Sequence, residues 1–413
     1  MNNSKRRWMS IDVQKRNLII MWCANFLMGI SLTMILPFLS LMVADMGVGY
    51  TEAQVQRWSG LVFGVTFVTA FLFSPIWGRL GDKYGRKTLL IIFAFGFSLC
   101  LFMMGLADTV FLLFLSRLFM GLFSGFIPMA QALIATQTPK AIAGRILGTL
   151  QTGNVSGMLF GPLIGGSLAD HFGFTYTFLI TSCATFLAAI LVMVGVKEIR
   201  IKPESERDTR QYSALDVIKF IVTSPVLFSI MLITLLVQVA HFAIQPLLAL
   251  YIEDLHGPEN LAFLTGLAFS AAGLGNLLFS RQWGKMGDRF GHDKILIFLL
   301  FAAAAVYLPQ GFVTNIWQLV ILRFLLGIIL GGIIPAQTAY IRQVAPLSIQ
   351  GEVLGYKQSF RFAGNAVGPM VGGLVGAQFN FNFLFYFTTA LLVISALVLW
   401  IAEHRSTHTA HQF

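Results

Sequence analysis

The chain has 413 residues, of which 56% are hydrophobic and 11% charged, with mean hydropathy +0.77 and formal net charge +10. Soluble domains carry roughly 25% charged residues, so this composition excludes an ordinary water-soluble enzyme or binding module and points to a bilayer as the main solvent. Cys23, Cys100 and Cys183 all fall in apolar runs, HExxH, GxxxxGK[ST] and GxSxG patterns are absent, and neither enzyme activity nor a metal or other cofactor is expected.

A spanning helix needs about 20 apolar residues. Twelve such runs follow one another at 18–43, 58–77, 88–107, 110–135, 146–169, 174–196, 225–251, 261–283, 295–313, 316–341, 352–377 and 380–402. They lack barrel-type alternation and are read as helices, whose backbone satisfies itself in lipid. The first run is too long for a signal h-region and lacks a small-residue cleavage site, so no cleavable signal is expected.

Helix one offers Asn25, Ser31 and Thr33, with no carboxylate between Asp12 and Asp45. After helix two, residues 78–87 read GRLGDKYGRK, a charged loop whose glycines permit close helix approach. Helix four carries Arg117, about two turns from its outer end, and Gln131. In helix five, Gly157, Gly161, Gly165 and Gly166 remove bulk from one face and Pro162 removes an internal hydrogen bond, bending the helix. Rocking against a partner and static tight packing both account for such a face. Asp170 follows. The stretch 197–224 begins as a flexible hydrophilic linker, and Ala214, Leu215, Val217 and Ile218 suggest a short amphipathic helix on the inner surface.

Helix seven places Gln238, His241 and Gln245 at helical spacing beside Pro246. An imidazole ordinarily titrates near neutral pH; for His241 a structural role and a proton or substrate role both stay open. A second loop, GKMGDRFG, occupies 284–291. Gln337 lies in helix ten. Helix eleven opens with Glu352 and carries Lys357, Gln358, Arg361 and Asn365, with Lys357, Arg361 and Asn365 near one face. Gln131 and Gln337 can complete a polar ring, and with Asn25, Gln238, His241, Gln245, Gln358, Arg361 and Asn365 they are the substrate-cavity candidates. An unpaired Arg361 near mid-membrane costs at least about 2.5–3.5 kcal/mol, so a water-filled cavity favouring substrates with an anionic group is expected around it.

The halves repeat. Trp77, Gly78, Gly81, Asp82 and Gly85 recur as Trp283, Gly284, Gly287, Asp288 and Gly291 at a separation of 206, as does Arg117 at Arg323. Gly157, Gly161, Pro162, Gly165 and Gly166 recur at 207 as Gly364, Gly368, Pro369, Gly372 and Gly373. Two six-helix halves, 1–196 and 225–413, joined by 197–224, are therefore expected. With alternating helices, 23 of the 28 Lys and Arg residues fall on the side of the N-terminus and only Arg57 on the other. That places both termini in the cytoplasm and explains the positive charge by anionic lipid, without nucleic acid.

GRLGDKYGRK resembles the helix two–three signature of the major facilitator superfamily. LSRLFMGLFSG at 115–125 is similar to its fourth-helix signature, and GMLFGPLIGG at 157–166 to the fifth-helix signature of its drug:proton antiporters. Stretches such as PFLSLMV, ALIATQTP, LGTLQTG and QSFRFAGNAVGP are similar to the bacterial multidrug-efflux branch, and the likeness covers nearly the whole chain. The resemblance implies an all-α membrane fold of twelve transmembrane helices in two pseudo-symmetric halves. It also implies a monomer of the bacterial inner membrane that exports small amphipathic molecules against proton influx. Asp82, in a setting made by Gly78, Gly85 and Arg86, would latch onto the start of helix eleven. Asp288 would form a weaker latch, because His292 and Asp293 replace Arg86 and Lys87. Arg117 would take part in proton coupling, although Met120 stands where the family usually has Gln. The helix-one carboxylate of several drug antiporters is missing, leaving the proton carrier open among Asp82, Asp170, Glu352 and His241. Metabolite or sugar export by the same fold, and a non-transporting lipid-handling or sensory role, also stay open.

Overall fold

A computed structural model describes residues 3–138, 142–198, 214–346 and 349–410; the side chains of 3–12, 74, 75, 78, 79, 82, 143, 144, 214 and 405–410 lie outside the described set. The regular elements are helical throughout: α1 (Asn3–Thr33), α2 (Leu39–Met46), α3 (Glu52–Tyr84), α4 (Arg86–Gly105), α5 (Val110–Leu122), α6 (Phe126–Gln137), α7 (Ala143–Gly195), α8 (Ala214–Thr223), α9 (Pro225–Ile244), α10 (Leu248–His256), α11 (Leu261–Phe290), α12 (His292–Gln310), α13 (Ile316–Val344), α14 (Gln350–Gln378) and α15 (Phe381–Ala410). Among the described residues, nine stretches are long and apolar enough to cross a membrane. One of them, Arg145–Gly195, holds two crossings in series, parted where Gly173 takes φ 81° inside α7. The more polar α1 and α14 complete the twelve.

Three expected helices are broken. The first stops at Thr33 and resumes at Leu39, past Pro37. The fourth breaks between α5 and α6. The seventh breaks at a 3-10 turn, Gln245–Leu247, because Pro246 has no N–H to continue the ladder. Conversely, the two charged loops are mostly helix. α3 runs to Tyr84 and α11 to Phe290; then one glycine, Gly85 (φ 102°) or Gly291 (φ 98°), reverses the chain and the next helix starts at once. Such a conformation is accessible to glycine without a Cβ clash.

Two compact units emerge: Met1–Val48, Val68–Glu204 and Asn260–Gly266 in the first, and Gly49–Phe67, Ser205–Glu259 and Leu267–Phe413 in the second. The start of α3 thus packs with the second unit and the start of α11 with the first. In the first unit Lys197 is held by Asn17, whose side chain both accepts from its N–H (3.0 Å) and donates to its carbonyl (2.7 Å). The hydrophilic stretch therefore begins ordered; residues 199–213 lie outside the described set. In the second unit α8 buries Val217 and Ile221 against Leu227, Ile230, Ile341 and Val353 and leaves Leu215 75% exposed.

Candidate functional site

The glycine faces are spent on backbone contacts, in the same pattern in both units. In the first unit, Cβ atoms added at Gly157 and Gly161 would collide with Phe26, Ile30 and Thr33 of α1, and one at Gly165 with Met34 just past its end. On the other side of the helix, Gly166 faces the carbonyl of Ala262, and the Pro162 carbonyl faces Gly266, both near the start of α11. In the second unit, Gly364, Gly368 and Gly372 meet Leu235, Val239, Phe242 and Ala243 of α9, while Gly373 and the Pro369 carbonyl meet Gln56 and Gly60 of α3. One helix is thereby gripped on two sides at distances that side chains would forbid.

Asp170, just beyond the first glycine face, accepts from the N–H groups of Ala262 (3.2 Å) and Phe263 (2.8 Å). Its carboxylate fills the role of a cap at the positive end of α11. Glu352, in the first turn of α14, is exposed.

Around the first one-glycine turn, Gly85 supplies the reversal, and Arg86 donates through Nη1 to the Ala132 carbonyl (2.6 Å) and to Thr136 Oγ1 (2.9 Å). Glu198 accepts from the backbone N–H groups of Arg86 (2.8 Å) and Lys87 (3.2 Å). Nothing in the sequence pattern singled out Glu198, which lies in the stretch read as linker; an acid some 110 residues away can cap a helix only because folding brings it there. Gly78 and Asp82 lie in α3, and their side-chain surroundings are outside the described set. At the second turn, Asp288 pairs with His292 (3.3 Å) and is 79% exposed.

Arg117 is buried on α5 at 3% exposure, and its Nη1 contacts the Met120 sulfur at 3.6 Å. The residue that displaces the family's usual Gln is thus a soft partner for the guanidinium. Gln131 donates to Gln151 (2.7 Å), and Asn25 is buried with no hydrogen-bond partner for Oδ1 among the described residues.

In the second unit the helix-seven stripe forms a ladder. Gln245 Nε2 lies 3.0 Å from His241 Nε2, and His241 Nδ1 lies 3.0 Å from the Tyr307 hydroxyl. Gln238 is buried on the same helix, and Gln337 accepts from Thr234 (3.3 Å). Tyr307 on α12 and Arg323 on α13 were not among the expected site residues. Tyr307 sits in an otherwise apolar run, and only the position of Arg323 in the repeat hinted at it. On α14, Lys357 is satisfied by Thr338 Oγ1 (2.6 Å) and the Ile334 carbonyl (3.2 Å). Arg361, half-buried, and buried Asn365 keep Nε and Oδ1, respectively, without partners, and Gln358 is exposed. Within each unit these groups pair: Gln131 with Gln151 in the first, and Gln337 with Thr234 and Gln245 with His241 in the second. A surface recess of ≈ 540 Å³ lined by Thr51, Gln56, Gly376 and Phe381 contains none of these residues.

A model of the Major Facilitator Superfamily matches residues 21–273 and 262–412. The uncharacterized MFS-type transporter YuxJ of Bacillus subtilis (strain 168) is 51% identical over 383 residues, covering 93% of this chain and 97% of its own. The multidrug resistance protein MdtG of Enterobacter lignolyticus (strain SCF1) is 39% identical over 397 residues, covering 96% and 94%. Among solved structures, a bacterial homolog of the human lysosomal transporter Spinster, inward-facing and unoccupied, has TM-score 0.77 at 16% identity, covering 95% and 97%. A D-xylose-proton symporter has TM-score 0.72 at 17% identity, covering 94% and 97%. At such identities these structures establish the fold alone.

Proposed function

The chain belongs to the major facilitator superfamily, and from that premise we propose that it exports amphipathic drugs across the bacterial cytoplasmic membrane in exchange for protons, by alternating access. The observation that carries the reading is the use made of the antiporter signature. Its glycines and proline lie in two backbone seams of one helix, against α1 and against the start of α11, and the 207-residue copy does the same against α9 and α3. Seams in which one partner has only glycine let packed helices slide, the shear type of domain motion. The likeness to proteins named for multidrug resistance, over nearly the whole chain, supports the substrate class.

In this reading Asp82 is the main cytoplasmic latch and Asp288 the weaker one. Arg117, His241, Asp170 and Glu352 are the coupling candidates. Both termini face the cytoplasm, in keeping with the Lys and Arg distribution, and the monomer is the working unit. Drug susceptibility in an efflux-deficient host, with and without an uncoupler, tests the reading. Dye uptake into everted vesicles should collapse when the pH gradient is dissipated. Efflux that persists with ATP alone and no ion gradient would exclude antiport, and sodium-dependent efflux indifferent to pH would move the coupling to another ion.

A further inference from the structure

Arg323 is 2% exposed in the second unit, and its Nε and Nη2 atoms have no hydrogen-bond partner among the described residues. A guanidinium keeps its charge in any protein setting. The titratable groups that face it are the phenols of Tyr307 and Tyr251, while His241 lies in the combined field of Arg323 and Arg361. Among the described residues no carboxylate pairs with either arginine. Arg323, Arg361 and buried Lys357 thus lie with a ladder of neutral polar groups, the exposed Asp254 bearing on Tyr251, and an unpaired charge in such an interior is costly.

We propose that Arg323, supported by Arg361 and Tyr307, forms an anion-binding site that takes the carboxylate of an amphipathic acid or zwitterion. The proposal rests on the export reading and deepens it by naming the substrate class and a second, deeper arginine. The ladder supplies a further donor. With the amide as placed, Gln245 Nε2 donates to His241 Nε2, so the neutral imidazole carries its proton on Nδ1 and donates to the Tyr307 oxygen. The hydroxyl proton of Tyr307 is then free to point at an anion together with the Arg323 guanidinium, a charge-assisted arrangement. The surroundings favour an organic anion over an inorganic one. His241 meets Phe242 edge-on with centroids at 5.4 Å, and Phe242 meets Phe67 at 5.2 Å, so an apolar ring surface adjoins the polar ladder.

The test compares binding of a zwitterionic fluoroquinolone, and of two other amphipathic acids, with binding of their methyl esters to the full-length purified protein, without any ion gradient. Esterification keeps the body and removes the anion. The acid form should bind about tenfold or more tightly than its ester. Arg323→Gln should abolish that ratio by lowering acid affinity more than ester affinity, Arg323→Lys should retain part of it, and Tyr307→Phe should narrow it. Equal affinities for acid and ester in the wild type, binding of none of the pairs, or equal losses for both forms in Arg323→Gln would overturn the site. Displacement of the acids by millimolar chloride would overturn its organic selectivity. If Arg323→Gln is not monodisperse, an unchanged acid-to-ester ratio in Tyr307→Phe overturns the proposal by itself. Because no gradient is present, loss of this site and loss of proton coupling are read separately: efflux without discrimination removes the site, and discrimination without gradient-driven efflux removes antiport.

Discussion

Arg117 and Arg323 hold the same place in the two sequence repeats, and their surroundings differ. Arg117 sits in a unit whose buried polar groups are largely hydroxyls that find partners in backbone carbonyls and in one another. Thr185 donates to Ser31 (2.8 Å), Thr181 approaches the Met34 sulfur (3.0 Å), and Ser98 and Ser182 exchange bonds with each other's backbone (2.9 Å each). Arg323 sits in a unit with Arg361, Lys357, His241, Tyr307 and Tyr251, where two of its own nitrogen atoms go unpaired. The glycine seams, by contrast, are near copies. What the two repeats share is the requirement for backbone approach, and where they diverge is in buried charge. The shared part is scaffold, and the divergent part is where selectivity for a solute can reside.

The shared seams should give the largest effects. Gly161→Val and Gly368→Val each push a branched side chain into a neighbouring backbone, so both variants should lose about 1–3 kcal/mol or more through overpacking. The result would appear as a lower melting temperature in detergent and reduced yield. Gly355→Ala, where an added Cβ meets nothing within 4 Å, serves as the control and should keep its melting temperature. If Gly161→Val fails and Gly368→Val does not, the seams are not equivalent and the scaffold reading of the repeat is wrong.

Next comes Asp82→Asn, which keeps size and removes charge. A carboxylate at a helix N-terminus contributes up to about 2 kcal/mol in partly buried geometry, so export should fall roughly tenfold at normal expression. Interhelical distance distributions should shift toward the inward-facing state. Full transport with an unchanged distribution would remove the latch.

How much of this was legible in the sequence follows from range. The crossings, the repeat and the glycine faces rest on periodicity and spacing, which a single chain displays. The breaks at Pro37 and Pro246 were within reach, since proline cannot continue a helical ladder. The short turn at Gly85 was misjudged as a loop because its charges look like solvent exposure, whereas helix ends tolerate charges well. Glu198 and Tyr307 were invisible for another reason: each acts on groups far away in sequence, Arg86 and His241 respectively, and pairwise proximity of that kind leaves no periodic trace. Arg323 was visible as a repeat position, but that no carboxylate among the described residues pairs with it is a property of packing.

A smaller effect is expected at the start of α4. Glu198 accepts two backbone N–H groups there, whereas α12 carries its own acid, Asp293, in its first turn, and Glu403 in the second half accepts from Tyr340 (2.9 Å). Glu198→Ala should cost about 0.5–2 kcal/mol, the range for a lost cap, and speed amide exchange at residues 86 and 87. Unchanged exchange there would mean that Glu198 does not protect these amides.

The smallest effect belongs to Asp288→Asn. Its carboxylate is 79% exposed and its partner is His292 on the next turn of chain, at 3.3 Å. An exposed pair of this kind is screened by water and salt and adds little. The pair is also an ion pair only when the imidazole is protonated, and the substitution leaves an amide oxygen that still accepts from it. Transport should therefore stay within about twofold of the parent, as surface substitutions generally do, and the melting temperature should not move. Measuring Asp82→Asn and Asp288→Asn side by side, at matched expression and in low and high salt, reads the asymmetry directly. Equal losses would make the two turns equivalent latches, and the divergence between the repeats would then be confined to the buried arginines.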